Sequence, residues 1–126
     1  MSYVVVGAGP SGVIAAETLK RAERSGDVLL IGAEPEPPYS RMAIPYLLEG
    51  DIGEDGTYLR KTADYYENLK IGYSHGRVES VSPGSNSLTL EGGDEVSYDR
   101  LLVASGARPL QPPVQGMDLA GVHNCW

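Results

Sequence analysis

The chain has 126 residues, a formal net charge of −7 and a single cysteine, Cys125. This length corresponds to one domain, and the acidic balance argues against nucleic acid and anionic membrane surfaces as partners. One cysteine excludes an internal disulfide and favours a cytoplasmic protein. No signal peptide is expected at the start, and no apolar run approaches the ~20 residues of a membrane span.

The start of the chain predicts a strand, a helix and a second strand. The β-branched run "YVVVG", residues 3–7, is typical of a strand buried on both faces. A helix is predicted over residues 10–24, with Pro10 in its first turn. The apolar run "DVLLIG", Asp27–Gly32, predicts the second strand. Together these elements form one βαβ unit.

The middle of the chain changes its hydrophobic period. Residues 51–57 are polar and glycine-rich and predict a loop, and residues 62–70 predict a helix with Thr62 as its N-cap. Between residues 77 and 98, three alternating segments are separated by "PGSN" and "GG". This pattern predicts a three-stranded antiparallel meander.

The last part of the chain predicts one more strand and an extended strap. The continuous apolar run "RLLVAS", residues 100–105, is typical of a central strand in a parallel sheet. Residues 108–126 contain three prolines and are predicted to leave the domain, which we assign to residues 1–107. The expected fold class is therefore α/β.

A glycine motif stands at the junction of the first strand and the helix. Gly7, Gly9 and Gly12 have the spacing G-x-G-x-x-G: the first permits a tight turn, the second admits a pyrophosphate, and the third lets the helix pack closely. Glu34 follows the second strand at about the ~20-residue spacing of a ribose-binding carboxylate, which would repel a 2′-phosphate. A turn without a ligand is the alternative, but the strand, helix and acid around the motif favour dinucleotide binding. FAD and NAD share the ADP half, so the motif does not separate them.

"VVVGAGPSG", the meander and "YDRLLVASGARP" together resemble the FAD-binding domain of the pyridine nucleotide–disulfide oxidoreductase family. That family includes NADH oxidases, coenzyme A-disulfide reductases, rubredoxin and ferredoxin reductases and the nitrite reductase large subunit. The resemblance covers nearly the whole chain. It implies a Rossmann-like fold with a parallel sheet and the antiparallel meander as crossover. It also implies FAD as cofactor and NAD(P)H as electron donor, with the NAD(P)H site outside this chain.

The resemblance also implies roles for individual residues. Glu34 would hold the adenosine ribose, and Val78 would offer backbone hydrogen bonds beside the adenine. In "ASGARP", serine replaces the family's usual threonine. The segment that passes beneath the cofactor would be Ala104, Ser105 and Gly106. The residues that would hold the FAD pyrophosphate are Gly7, Gly9, Pro10, Ser11 and Gly12.

Residues 37–50, "PPYSRMAIPYLLEG", resemble the family segment that runs from the ribose acid to the flavin. Met42 stands where coenzyme A-disulfide reductases and NADH oxidases have a cysteine, while Pro45 and Tyr46 agree and would shape a short helix beside the isoalloxazine. Tyr39 and Arg41 match the rubredoxin reductase branch instead, and Arg41 would lie near the flavin or pyrophosphate. A thioether forms no thiolate, so thiol–disulfide chemistry is not expected.

The resemblance implies the FAD-binding part of an NAD(P)H-dependent flavin oxidoreductase that lacks a redox-active cysteine. Its partners would be FAD and the C-terminal part of the same enzyme, and the isolated chain should bind FAD weakly and be inactive. Two alternatives stay open: a non-catalytic dinucleotide-binding module, and a ligand-free fragment that forms a homodimer through exposed apolar surface. His75 and His123 have no ligand partners at suitable spacing, so no metal is expected.

Overall fold

The computed structural model describes residues 1–22 and 25–123. Two 3₁₀ turns, Arg41–Ala43 and Glu54–Gly56, accompany the helices and strands. In chain order these are β1 (Ser2–Val6), α1 (Pro10–Ala22), β2 (Asp27–Gly32), α2 (Ile44–Glu49), α3 (Tyr65–Asn68), β3 (Ile71–His75), β4 (Val78–Ser82), β5 (Ser87–Leu90), β6 (Glu95–Ser97) and β7 (Arg100–Val103). The predicted end of the first helix, at residues 23–24, lies outside the described residues.

Four parallel strands form the central sheet in the order β3-β2-β1-β7. Helix α1 covers one face of this sheet through Val13 and Ala16, both fully buried. They pack against Val5, Leu30 and Ile71, which point to that face from β1, β2 and β3. The predicted βαβ unit is thereby confirmed.

The antiparallel meander covers the opposite face of the sheet. Strands β4, β5 and β6 form a separate three-stranded sheet, as predicted. Leu88 is fully buried against Val4 and Ile31, which point away from α1 because successive side chains of a strand alternate. The first turn has Asn86 at φ 50°, and the second uses Gly92 and Gly93 at φ 105° and 93°. The result is a three-layer α/β fold with the parallel sheet in the middle.

Strand β3 was not predicted from the sequence. Ile71–His75 pairs in parallel with β2, but only Ile71 is buried in the core. Gly72, Ser74 and His75 give this strand no continuous apolar run, so its pairing partner rather than its composition defines it.

The helix preceding β3 is shorter than predicted. It covers the single turn Tyr65–Asn68 instead of residues 62–70, and its N-cap is Asp64 rather than Thr62. The Thr62 carbonyl accepts a hydrogen bond from the Tyr65 N–H at 3.1 Å, which makes a turn before the helix. The predicted loop over residues 51–57 likewise contains a 3₁₀ turn, Glu54–Gly56.

Strand β7 lies at the edge of the sheet, although its apolar run predicted a central position. It pairs with β1 on one side, and no described residue pairs with its other side. Leu102 and Val103 are consequently 43% and 61% exposed. The sequence of β7 is therefore that of a buried strand, although two of its apolar side chains are exposed in the described chain.

After β7 the described chain contains neither helix nor strand over residues 108–123, and the last three residues of the predicted strap lie outside the described residues. Leu110, Val114, Leu119 and Val122 in this segment are exposed, with Leu110 at 91%, whereas Met117 is half-buried. Within residues 1–22 and 25–123, no helix has the length and apolar character needed to cross a membrane.

Candidate functional site

The glycine loop joins β1 to α1 and passes the end of β7 at close range. Gly7 has a φ of 109°, and its N–H donates to the Ile31 carbonyl at 2.8 Å. A Cβ at Gly7 would lie 2.2 Å from the carbonyl oxygen of Ala104. Glycine is therefore required here by the turn and by the passing chain, and the N–H is already used within the sheet.

The other two glycines of the motif have opposite surroundings. A Cβ at Gly12 would lie 1.8 Å from the Gly7 carbonyl oxygen, so Gly12 lets α1 close onto the loop. A Cβ at Gly9 would meet no heavy atom within 4 Å. The Gly9 carbonyl accepts the Val13 N–H at 3.0 Å and begins the helix hydrogen bonds. The backbone at Gly9 thus faces open space where the helix starts.

This open space is a cleft of about 460 Å³ at the carboxyl ends of the parallel strands. Its walls are the glycine loop, the end of β2, the segment after β2 and the segment after β7. Eight predicted site residues line it: Gly7, Gly9, Pro10, Glu34, Arg41, Ala104, Ser105 and Gly106. The structure therefore brings most of the predicted residues to one concave surface.

A second cleft of about 310 Å³ continues from the first toward the meander. Val78 lines this second cleft, and both clefts share Glu34, Arg41 and the chain after β7. We call the two together the groove. Ser11 and Gly12 line neither part: Ser11 is exposed on the first turn of α1, and Gly12 is buried beneath the loop.

Glu34 occupies the junction of the two clefts and has two side-chain neighbours. The Arg41 guanidinium donates to its carboxylate in an ion pair whose partners are both partly exposed. A hydrogen bond with Glu34 raises the pKa of Tyr39, and burial and the charge of Glu34 raise it further. A carboxylate offers about four lone-pair sites, so Glu34 retains acceptor capacity for ribose hydroxyls.

The segment after β2 is held across the mouth of the groove by backbone hydrogen bonds. The Ser40 N–H donates to the Thr57 carbonyl, and the Leu59 N–H donates to the Pro38 carbonyl, both at 2.9 Å. The short helix expected around Pro45 is confirmed as α2, which begins after the Arg41–Ala43 turn. It ends at Gly50, whose φ of 84° suits glycine.

Tyr73 is a groove residue that the sequence did not reveal. It lines the larger cleft from β3, and its ring stacks on that of Tyr66 with centroids 5.9 Å apart. Its hydroxyl lies 2.5 Å from the position that a Cβ of Gly32 would take. Burial raises the pKa of Tyr73, and the charges of Glu34 and Glu36 raise it further. Had β3 been predicted, Tyr73 would have been found as well. Residues two positions apart in a strand share a face, and Ile71 lies on the α1 face.

The groove fits the ADP half of a dinucleotide. Gly9 leaves free the space that a pyrophosphate needs, and a side chain there would fill it. Gly106, at φ 75°, likewise has no heavy atom within 4 Å of a Cβ position, on the wall formed by the chain after β7. Among the described residues, no group of three His, Cys, Asp or Glu side chains could hold a metal ion.

A parallel sheet, a glycine loop that opens a helix and a carboxylate after the second strand are the features of a Rossmann-like α/β fold. Residues 1–125 match the family model of the pyridine nucleotide-disulphide oxidoreductases, and the chain belongs to this family. The sequence resemblance to that family is thereby confirmed.

Related proteins include a NADH oxidase from Methanocaldococcus jannaschii, 32% identical over 97% of this chain and 29% of the relative. A rhodocoxin reductase from Rhodococcus erythropolis is 34% identical over 98% of the chain and 29% of the relative. Among solved structures, a ferredoxin reductase from Rhodopseudomonas palustris superposes with a TM-score of 0.83 at 27% identity, covering 96% of this chain and 30% of that one. The chain thus spans about 29% of the length of the curated relatives it matches.

Proposed function

We propose that the chain is the FAD-binding part of an NAD(P)H-dependent oxidoreductase that transfers electrons through flavin without a redox-active cysteine. The observation that carries this proposal is the position of Glu34, at the end of β2 in the same groove as the open backbone of Gly9. When bound, the flavin supplies hydride acceptance from a reduced nicotinamide and onward electron transfer.

Different residues of the groove would hold different parts of the cofactor. The open loop at Gly9 and Pro10, with Ser11 on the first turn of α1, would receive the pyrophosphate, since the N-terminal end of a helix favours an anion. Glu34 would accept hydrogen bonds from the ribose hydroxyls, and Arg41 on its carboxylate would hold it in place. Val78, in the second cleft, would lie beside the adenine.

The proposal that the flavin has no neighbouring thiol is based on Met42. This residue lines the larger cleft and is 84% exposed, at the position where cysteine-containing relatives carry their thiol by the resemblance above. A thioether provides neither a thiolate nor disulfide exchange. Cys125 lies outside the described residues. We therefore assign the electron transfer of the parent enzyme to flavin alone.

The chain supplies only part of this enzyme. Because it spans about 29% of its relatives, we assign the nicotinamide site and the rest of the flavin site to further sequence, which is also its proposed partner. The proposed setting is the cytoplasm. Alone, the chain should bind FAD weakly and show no catalysis, since the groove would hold the ADP half and Met42, on the side proposed for the flavin, is exposed.

Isothermal titration of the chain with ADP tests the proposal directly. We expect measurable ADP affinity that Glu34→Gln weakens by about tenfold, the value of one charged hydrogen bond of ~1.4 kcal/mol or more. Glu36→Gln is the matched control, because Glu36 lines the same cleft but is not the predicted ribose acid. The absence of ADP binding to the wild-type chain would overturn the proposal, and nanomolar FAD affinity would overturn the expected weakness in isolation.

A second candidate, a self-associating fragment, is favoured by the edge of the central sheet. Leu102 and Val103 are exposed on β7, whose outer edge is unpaired among the described residues. An unpaired apolar edge strand is a template for pairing with another chain. The rest of the enzyme or a second copy of this chain would cover it, and the oligomeric state distinguishes these possibilities.

A further inference from the structure

We propose that Tyr73 binds the adenosine ribose: its hydroxyl donates a hydrogen bond to a ribose hydroxyl that itself donates to Glu34. This inference rests on the proposed function, because it assumes that the ADP half of a dinucleotide occupies the groove. It adds a second polar contact to the ribose, from a strand that carries no residue of the glycine motif.

The position of Tyr73 follows from the register of the sheet. Tyr73 is the partner of Leu30 in the parallel pairing of β3 with β2, and it shares the α1 face with Leu30. Its hydroxyl extends toward the carboxyl end of β2, to 2.5 Å from the Cβ position of Gly32. The Cβ of Ala8, in the glycine loop, is 3.0 Å from the same position. The hydroxyl therefore lies where the glycine loop meets the strand that leads into Glu34.

The orientation of the ring is set by packing on both sides. Tyr66 stacks on it at an interplanar angle of 21°, from the single turn of α3. Gly32 leaves the space that the hydroxyl uses, and any larger residue at that position would displace it. Tyr73 is 36% exposed, so the ring is partly covered while its side facing the cleft is open. A hydroxyl held in this way is preorganised for a ligand.

The chemistry of the two side chains is complementary toward a ribose. An ionised carboxylate only accepts hydrogen bonds, whereas a ribose hydroxyl both donates and accepts. Glu34 can accept a hydrogen bond from a ribose hydroxyl, and the oxygen of that hydroxyl can in turn accept one from a donor. A tyrosine provides one because it stays protonated at neutral pH, and burial and the nearby Glu34 and Glu36 raise its pKa further. Together the two side chains give one ribose hydroxyl both a hydrogen-bond acceptor and a hydrogen-bond donor.

Two tyrosine-to-phenylalanine variants of the full 126-residue chain provide a matched test. Tyr73→Phe removes the proposed donor and retains the ring that stacks on Tyr66. Tyr66→Phe removes a hydroxyl from the other ring of the same stack, which does not line the groove. Dissociation constants are measured by NMR titration with ADP, 2′-deoxy-ADP and 3′-deoxy-ADP, which is suited to weak binding.

We expect Tyr73→Phe to weaken ADP binding by about fivefold, the value of a typical hydrogen bond, and Tyr66→Phe to leave it within twofold. With the deoxynucleotide that lacks the contacted hydroxyl, the effect of Tyr73→Phe should disappear. An unchanged ADP affinity in Tyr73→Phe, or an equal loss with all three nucleotides, would overturn the assignment and leave the proposed function intact. A wild-type chain that binds no ADP would overturn both.

Discussion

Arg60 and Glu17, 43 residues apart in sequence, form a partly buried ion pair. The Nε and Nη2 atoms of Arg60 both lie 2.7 Å from Oε1 of Glu17, whose side chain is only 1% exposed. Arg60 also donates to the Leu59 carbonyl at 2.6 Å, and its guanidinium lies 5.3 Å from the Tyr65 ring centroid. The pKa of Arg60 is raised, with the hydrogen bond to Glu17 as the main cause. The pair links α1 to Arg60, which directly follows Leu59 at the mouth of the groove.

Arg60→Ala should therefore lower the free energy of unfolding by about 3 kcal/mol, because it leaves a buried carboxylate with one remaining partner. That partner is Arg21, whose nitrogen lies 3.1 Å from Oε2 of Glu17 and whose side chain is 70% exposed. Arg21→Ala is the control and should cost about 0.5 kcal/mol, because Arg21 is largely solvated and Glu17 keeps its pair with Arg60. Urea unfolding measures both, and similar losses for the two arginines would contradict the dominance of Arg60.

Alanine at Gly12 and at Gly9 should have opposite consequences. Gly12→Ala should prevent stable folding, since its Cβ would lie 1.8 Å from the Gly7 carbonyl oxygen and backbone atoms cannot easily move away. Gly9→Ala should keep the wild-type thermal transition, because no heavy atom lies within 4 Å of its Cβ position, yet weaken ADP binding by filling the groove. Circular dichroism melting and ADP titration check the two effects. A folded Gly12→Ala protein would show that α1 can shift away from the loop.

Tyr66→Phe should stabilise the fold. The Tyr66 hydroxyl is buried and has no hydrogen-bond partner among the described residues, so its removal should raise the free energy of unfolding by about 1 kcal/mol at pH 7. Urea unfolding of the variant and the wild type measures this difference. A loss of stability instead would indicate that the hydroxyl makes a favourable contact in solution.

The same tyrosine should contribute to alkaline unfolding. Burial raises the pKa of Tyr66 from 10.0 to about 12, so folding favours the neutral phenol. This contribution is complete below pH 10 and is lost as the pH rises through about 12, so stability falls across that window. Tyr66→Phe should flatten this fall, and the remaining slope comes from the other tyrosines with raised pKa values: Tyr39, Tyr58 and Tyr73. Urea unfolding at intervals from pH 8 to 12 compares the two slopes, and identical slopes would refute the role of Tyr66.

Strand β7 should make the isolated chain associate. At high concentration we expect dimers by light scattering, and Val103→Lys should return the chain to a monomer because a lysine on an edge strand opposes pairing. Val81→Lys is the control, since Val81 is 38% exposed on the meander rather than on this edge. Association that survives Val103→Lys would place the interface elsewhere, for instance on the apolar side chains of the strap.

Much of the fold was predictable because its signals are local. The run Asp27–Gly32, the glycine spacing and the turn residues between the meander strands each specify backbone conformation within a few residues. Strand β3 was missed since only Ile71 is buried, and its definition depends on pairing with β2. The Glu17–Arg60 pair was equally invisible, because no local pattern connects residues 43 positions apart.

The same distinction between local and tertiary signals applies to the groove. The sequence alone determined the glycine loop and the carboxylate after β2, since the turn and the helix start demand these residue types at these spacings. Only the tertiary structure decided what surrounds them: the ion pair of Arg41 with Glu34, and the hydroxyl of Tyr73 next to Gly32, from a strand that the pattern did not show. Val78 was expected beside the adenine from the family resemblance alone, and it lines the second cleft. Motif spacing encodes backbone geometry along the chain, whereas the neighbours of a carboxylate are set by how sheets and loops pack.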